Sequence, residues 1–169
     1  MIFNRYRTAC FSGYRPEEFS FSLDKKDSTE YQYLLKRIND TLVNTLQMGF
    51  NTFLCGMTKG FDLLCASAVL DLRRKRKYRD IQLITVLPFS EHGFSGRWGR
   101  LHRLVKHHAN HEIIIAPNKY TRSCYHLCSC FMIDNSSLLI CYWNGRRGGT
   151  AYTVRMAKKA GHILRNIAD

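Results

Sequence analysis

The stretch "CYWNGRRGGTAYTV", residues 141–154, passes from one kind of local order to another within fourteen residues. Apolar residues run up to Trp143, Asn144 and Gly145 make a bend, and Arg146 and Arg147 lead into Gly148, Gly149 and Thr150. After Thr150 the apolar residues return at helical spacing. A strand that ends in a polar, glycine-rich turn and restarts as a helix is the repeating unit of an α/β sheet.

Working outward, four further apolar runs share the β-branched and aromatic character of the segment before that turn: "RTACFS" (7–12), "NTFLCG" (51–56), "IQLITVLPF" (81–89) and "HEIIIA" (111–116), with "SLLICYW" (137–143) as the fifth. Longer segments with helical periodicity separate them. Tyr31, Leu34, Leu35, Ile38, Leu42, Val43 and Leu46 mark one helix face, with Asp27 and Glu30 as a capping box and Gly49 as its stop. Further helices are expected over about 59–78, 96–109, 121–133 and 149–160. Continuous apolar strands joined by helical crossovers imply a sheet buried on both faces. The expected architecture is a three-layer α/β sandwich with a mostly parallel sheet of five or more strands, formed by residues 1–169 as one domain.

Composition bounds the partners. Lys and Arg number 26 against 13 Asp and Glu, a formal net charge of +13, which favours anionic ligands. Seven cysteines without a signal-like leader, and no apolar run of membrane-spanning length, point to a reduced cytoplasm and no membrane insertion.

In open parallel sheets ligands sit beyond the carboxyl ends of the strands. There the sequence places Ser12, Gly13 and Arg15 after the first strand, Gly56, Met57, Gly60 and Asp62 after the second, Pro88 and Phe89 at the end of the third, and Asn144, Gly145, Gly148, Gly149 and Thr150 after the fifth. Bare backbone at a helix start lets an anion reach unpaired amides, Arg15 offers a fork of donors, and Thr150 is read as a helix cap with a hydroxyl to donate. Neither glycine pair has the spacing of a dinucleotide fingerprint or a Walker loop. The plainer reading is that any α/β chain needs such turns.

"FSGYRPEE", "GMTKGFDLLCASAVLDLR", "LITVLPF", "CYHLCSCFMIDNSSLLICYWNG" and "GGTAYTVRMAKKAG" occur in the order seen in the YpsA-like family of the SLOG superfamily, which also holds LOG nucleotide hydrolases and DprA-type DNA-processing proteins. The chain resembles that family over almost its whole length. The resemblance implies a Rossmann-like fold whose strand-end pocket takes a nucleotide or nucleotide-derived ligand. It implies one wall of Ser12, Gly13 and Arg15, a second glycine motif of Gly56, Gly60 and Asp62, and phosphate at Gly148, Gly149 and Thr150, with Asp62 accepting from a ribose hydroxyl. Two departures stand out. Thr153 occupies the position of the glutamate that LOG-type hydrolases use, and a threonine cannot serve as a carboxylate acid or base. Cys128, Ser129 and Cys130 stand where relatives carry two arginines and an asparagine, leaving Arg122, Arg146 or Arg147 to replace the lost charge.

Other signals have bland readings beside the sharp ones. Cys124, His126, Cys128 and Cys130 lack paired metal-ligand spacing and are read as mainly buried thiols. His107 and His111 lack an accompanying glutamate and are read as solvated surface. "RRKRKYR" (73–79) and "RWGRLHRLVKHH" (97–108) are either a solubilising surface or, with Tyr78 and Trp98 for stacking, a nucleic-acid face.

Three functions follow in order of preference. The first is a binding or sensing module for a nucleotide-derived, phosphate-containing small molecule, signalling to a protein partner or a second copy, with no cofactor and no metal. The second is a nucleotide phosphoribohydrolase-like enzyme relying on Arg15 and Asp62. The third is a single-stranded nucleic-acid-binding protein.

Overall fold

A computed structural model describes residues 3–168. Six strands, β1 (Thr8–Gly13), β2 (Thr52–Cys55), β3 (Gln82–Phe89), β4 (His111–Ala116), β5 (Leu138–Tyr142) and β6 (Ile163–Asn166), form one sheet in the order β4-β3-β2-β1-β5-β6. Every neighbouring pair is parallel, in registers such as Cys10 opposite Leu54 and Leu139.

Five helices cover it: α1 (Thr29–Gln47), α2 (Phe61–Arg73), α3 (Gly96–His108), α4 (Cys124–Asp134) and α5 (Gly149–Lys159). Alternate strand residues feed two cores. Ala9, Phe11, Phe53, Leu83 and Leu138 pack with Ile38 of α1, Leu63 of α2 and Val105 of α3. Cys10, Leu54, Ile84 and Leu139 pack on the opposite face with Met132 of α4 and Val154 of α5. The result is the expected three-layer, Rossmann-like α/β fold, with the sheet wholly parallel.

Local details differ from expectation for identifiable reasons. Ser28 rather than Asp27 caps α1, its hydroxyl accepting the Tyr31 amide at 3.2 Å. The second helix stops at Arg73, and Arg76–Tyr78 form a separate 3-10 turn. His108 closes α3 while His111 opens β4, so His107 and His111 share no helix face. Gly148, not Thr150, is the cap residue of α5, which puts Thr150 inside the first turn. The sixth strand, β6, is a four-residue edge whose exposure alternates, so it lacks the apolar run that marks the others.

The connections place the site. From β1 the chain moves through β2, β3 and β4 in one direction, then crosses back so that β5 and β6 extend the sheet on the other side of β1. Strand order reverses between β1 and β5, the place where open α/β sheets form a crevice.

Candidate ligand-binding cleft

A cleft of about 720 Å³ opens at the carboxyl ends of β1, β2 and β5. One wall is Ser12, Gly13 and Arg15, with Glu17 and Glu18 beyond them; the floor includes Gly56, Thr58 and Asp62; the far wall combines Arg122, Tyr125, His126 and Ser129 with Gly148, Gly149, Thr150 and Tyr152.

The first wall is rigid because α2 begins hard against it. A side chain at Gly13 would collide with the Phe61 ring, and one at Gly60 would lie 2.5 Å from the Tyr14 carbonyl oxygen. Gly60 also holds φ at +95°, a left-handed conformation that glycine adopts without penalty. The Phe61 amide then donates to the Tyr14 carbonyl at 3.1 Å. Gly60 is therefore a spacer beneath the cleft rather than part of its lining.

Arg15 leads into a 3-10 turn at Pro16–Glu18, and its amide donates to Glu18 Oε2 at 2.8 Å. Its guanidinium carbon lies 6.0 Å from the centre of the Tyr125 ring. That ring is backed by the edges of Phe89, at 6.2 Å, and His92, at 5.8 Å, so Phe89 supports the wall from behind. At the lip, Lys59 sits 3.5 Å from Glu17.

The floor carries an unusual carboxyl. Asp62 is 5% exposed, and its Oδ1 has no hydrogen-bond partner among the described residues. Burial pushes its pKa up to about 7; the Gly13 and Thr58 amides, the Thr58 hydroxyl and the Arg15 charge draw it back only in part, none of those donors bonding Oδ1 in standard geometry. It sits near the point of half-ionisation at neutral pH.

The far wall supplies anion chemistry. Gly148 has φ of +147°, and a side chain built at Gly148 or Gly149 would meet nothing within 4 Å. Packing demands neither glycine; the backbone of Gly148 favours one, and Gly149 is required by neither packing nor conformation. They leave the first-turn amides of α5, which lack intrahelical acceptors, facing open space in the cleft. Thr153 Oγ1 donates to the Gly149 carbonyl at 3.1 Å, so this residue spends its hydroxyl on its own helix. His126 Nε2 and the Tyr152 hydroxyl lie 3.2 Å apart, tying α4 to α5 across the rim.

The cleft thus gathers Ser12, Gly13, Arg15, Gly56, Asp62, Gly148, Gly149 and Thr150. Of the remaining candidates, Met57 is fully buried in the core with φ of +62°, and Pro88, Phe89, Asn144 and Gly145 lie outside the lining. Asn144 instead grips Tyr14, accepting its hydroxyl through Oδ1 and donating its amide to the same oxygen at 3.2 Å.

Sequence reasoning missed Tyr125, His126, Tyr152 and Thr58. Tyr125, Ser129 and Met132 fall at the i, i+4, i+7 spacing of one helix stripe, a signal that was present in the sequence. Arg122 is the arginine that reaches the cleft; Arg146 and Arg147 do not line it. Cys128, 4% exposed, has its thiol pushed up to about 12 by burial, so the cysteine in this wall is inert. No helix among the described residues is long and apolar enough to cross a membrane.

A family model named YpsA and described as the YspA SLOG family matches residues 9–164. No curated protein matches by sequence. Among solved structures, DNA processing protein A (DprA) from Streptococcus pneumoniae superposes with a TM-score of 0.58 at 14% identity over 94% of this chain and 49% of that one. DNA processing protein A from Helicobacter pylori, described by its single-stranded DNA binding mode, superposes at 0.61 with 15% identity over 95% of this chain and 64% of that one. The chain thus spans about half to two-thirds of these relatives' length, and the likeness is one of fold.

Proposed function

The chain belongs to the YpsA family of SLOG proteins, and from that membership and the cleft's chemistry we propose that it binds a nucleotide-derived small molecule carrying a phosphate. The observation that carries this reading is the start of α5, where Gly149 is required by neither packing nor backbone conformation and Gly148 beside it adds no side chain, so that the helix terminus lies in the cleft with Arg15, Arg122 and a buried carboxyl that has one oxygen without a partner among the described residues.

Each group has a role in such binding. The α5 amides and dipole hold the phosphate, reinforced by the guanidinium of Arg122 or Arg15. A bare phosphate would not use Asp62, which disfavours an anion and accepts a hydrogen bond from a donor. The ligand therefore presents a hydroxyl, such as that of a ribose, to the floor while its phosphate sits at α5. A volume of about 720 Å³ suits a nucleotide-sized molecule. The fold neighbour described by its single-stranded DNA binding mode supports nucleotide chemistry in general for this architecture.

Binding rather than cleavage is the favoured activity. The position that would carry the hydrolase glutamate is Thr153, and its hydroxyl is already bonded to Gly149. The occupied cleft would then be read by a protein partner or a second copy of the chain.

Native mass spectrometry of the purified protein, followed by denaturing release of any bound small molecule, tests the reading. A co-purifying nucleoside phosphate is expected. A protein that retains none, and shows no calorimetric binding of adenosine or guanosine phosphates at millimolar concentration, contradicts it.

A further inference from the structure

The densest charge outside the cleft lies at the other end of the sheet. From the last residue of α2 toward β3 the segment 73–79 carries six cations, Arg73, Arg74, Lys75, Arg76, Lys77 and Arg79. Two have local duties. Arg73 donates from Nη1 to Asn110 Oδ1 and from Nη2 to the His108 carbonyl, both at 2.6 Å, and Arg79 lies 3.9 Å from Asp80. The other four are exposed and have no acidic partner among the described residues. The α2 dipole favours a cation in its last turn, but Lys75, Arg76 and Lys77 lie beyond the helix.

Beside this segment runs a second groove, of about 330 Å³, lined in part by Arg7, Asn51, Lys77, Tyr78 and Asp80. It lies where the chain enters β1, β2 and β3, and its first cation is held in place: Arg7 Nε donates to the Gly49 carbonyl at 3.1 Å. Aromatic rings are interleaved with the charge. Lys77 Nζ stands 5.2 Å from the Tyr78 ring centre, and the Arg5 guanidinium carbon stands 5.7 Å from the ring centre of Tyr6, a residue 74% exposed.

We infer that this amino-end face docks single-stranded nucleic acid, with phosphates along Arg7 and Arg74 to Lys77 and a base on the exposed ring of Tyr6, Tyr78 being packed against the core and forming the groove wall. A row of cations serves a chain of phosphates, where a lone phosphate would use one or two. The exposed ring of Tyr6 is satisfied by an unstacked base, which a single strand offers and a duplex does not. A flat anionic bilayer would leave both the groove and the rings unused. Asp80 at the groove edge weakens the attraction and sets its limit. The face is separate from the cleft, because the strands between them span about 20 Å at their rise per residue.

The test is fluorescence anisotropy of a labelled oligothymidylate, about 20 nucleotides long, titrated with the full chain at several salt concentrations. Replacing Lys75, Arg76 and Lys77 together by Gln is expected to weaken binding at least tenfold at low salt and to reduce the log–log salt slope by about 2, at about 0.7 per neutralised contact. Tyr6→Ala is expected to cost about fivefold or more from lost stacking, and Asp80→Asn to tighten binding. Gly149→Val, placed in the cleft, is expected to leave oligonucleotide binding unchanged. Wild-type affinity and slope in the triple variant overturn the proposal. So does loss of oligonucleotide binding in Gly149→Val, which moves the contact to the cleft. Equal or tighter binding to duplex DNA, phosphatidylserine vesicles or polyglutamate at the same salt assigns the face to another partner and also overturns it.

Discussion

The Tyr14 hydroxyl joins the two loops that frame the cleft: it donates to Asn144 Oδ1 and accepts the Asn144 amide at 3.2 Å. Tyr14 follows β1 and Asn144 follows β5, so this side chain spans the point where strand order reverses. Asn144 Oδ1 also accepts the Arg146 amide at 3.3 Å, and Trp143 Nε1 donates to the Arg146 carbonyl at 2.7 Å, which fixes the path of the turn into Gly148. The phenol thus adds a side-chain tie between the two walls beyond the pairing of β1 with β5.

Tyr14→Phe keeps the ring in its contacts with Phe19 and Tyr142 and removes only the hydroxyl. The expected cost is about 1–2 kcal/mol of stability, from leaving Asn144 partly unsatisfied. Nucleotide affinity should fall by more than that loss alone explains, since misplaced walls weaken every contact at once. Urea denaturation paired with calorimetric titration of a nucleoside monophosphate separates the two effects.

Asp62 gives the molecule a pH signature. Its folded pKa, raised to about 7 from the ordinary 3.8, means that the folded state favours the protonated carboxyl. The stability linked to that proton is fully present below about pH 4 and is lost as pH rises toward and through 7, after which the penalty is constant. Asp62→Asn removes the ionisation. Its stability relative to the wild type is expected to climb across that window by about 2 kcal/mol or more and then to level off. Thermal melts of both proteins from pH 4 to pH 9 show this as a gap that widens and then holds; a gap independent of pH would mean the carboxyl is not desolvated.

Gly60 tests the packing beneath the site. Alanine there would meet the Tyr14 carbonyl at 2.5 Å with φ held at +95°, so Gly60→Ala is expected to cost about 3 kcal/mol from strain and overpacking together. Gly145, also at φ of +95° but with nothing within 4 Å, should lose only the conformational part, about 1 kcal/mol. Comparing the two alanine variants by denaturant midpoint isolates the contribution of close approach.

Strands buried on both faces announce themselves as unbroken apolar runs, and β1, β2, β3 and β5 do so. The edge strand β6 does not, because only one of its faces meets the core and four residues carry little pattern. The glycines at the start of α5 were legible as bare backbone at a helix terminus because their chemistry is local. Gly60 resembled them in sequence, yet its reason is the approach of α2 to the Tyr14 carbonyl, a contact across elements that no spacing encodes. Tyr125 sits on a stripe of α4 that was readable as helical spacing, but that the stripe faces the cleft, and that Arg122 rather than Arg146 or Arg147 reaches it, follows from how the turn before α4 and α4 itself pack beside β1 and β5. Asn144 drew notice as a turn residue, and the structure gives it work as a clamp.

The most direct measurement is a two-dimensional amide correlation spectrum of the labelled protein during titration with adenosine monophosphate, repeated on Gly149→Val. If bare amides at the start of α5 receive the phosphate, the resonances of Gly149, Thr150 and Ala151 move first and furthest, and the variant, with its fold intact by the rest of the spectrum, shows no such response. Saturable shifts that bypass those three residues, or a variant that responds as the wild type does, would contradict the account.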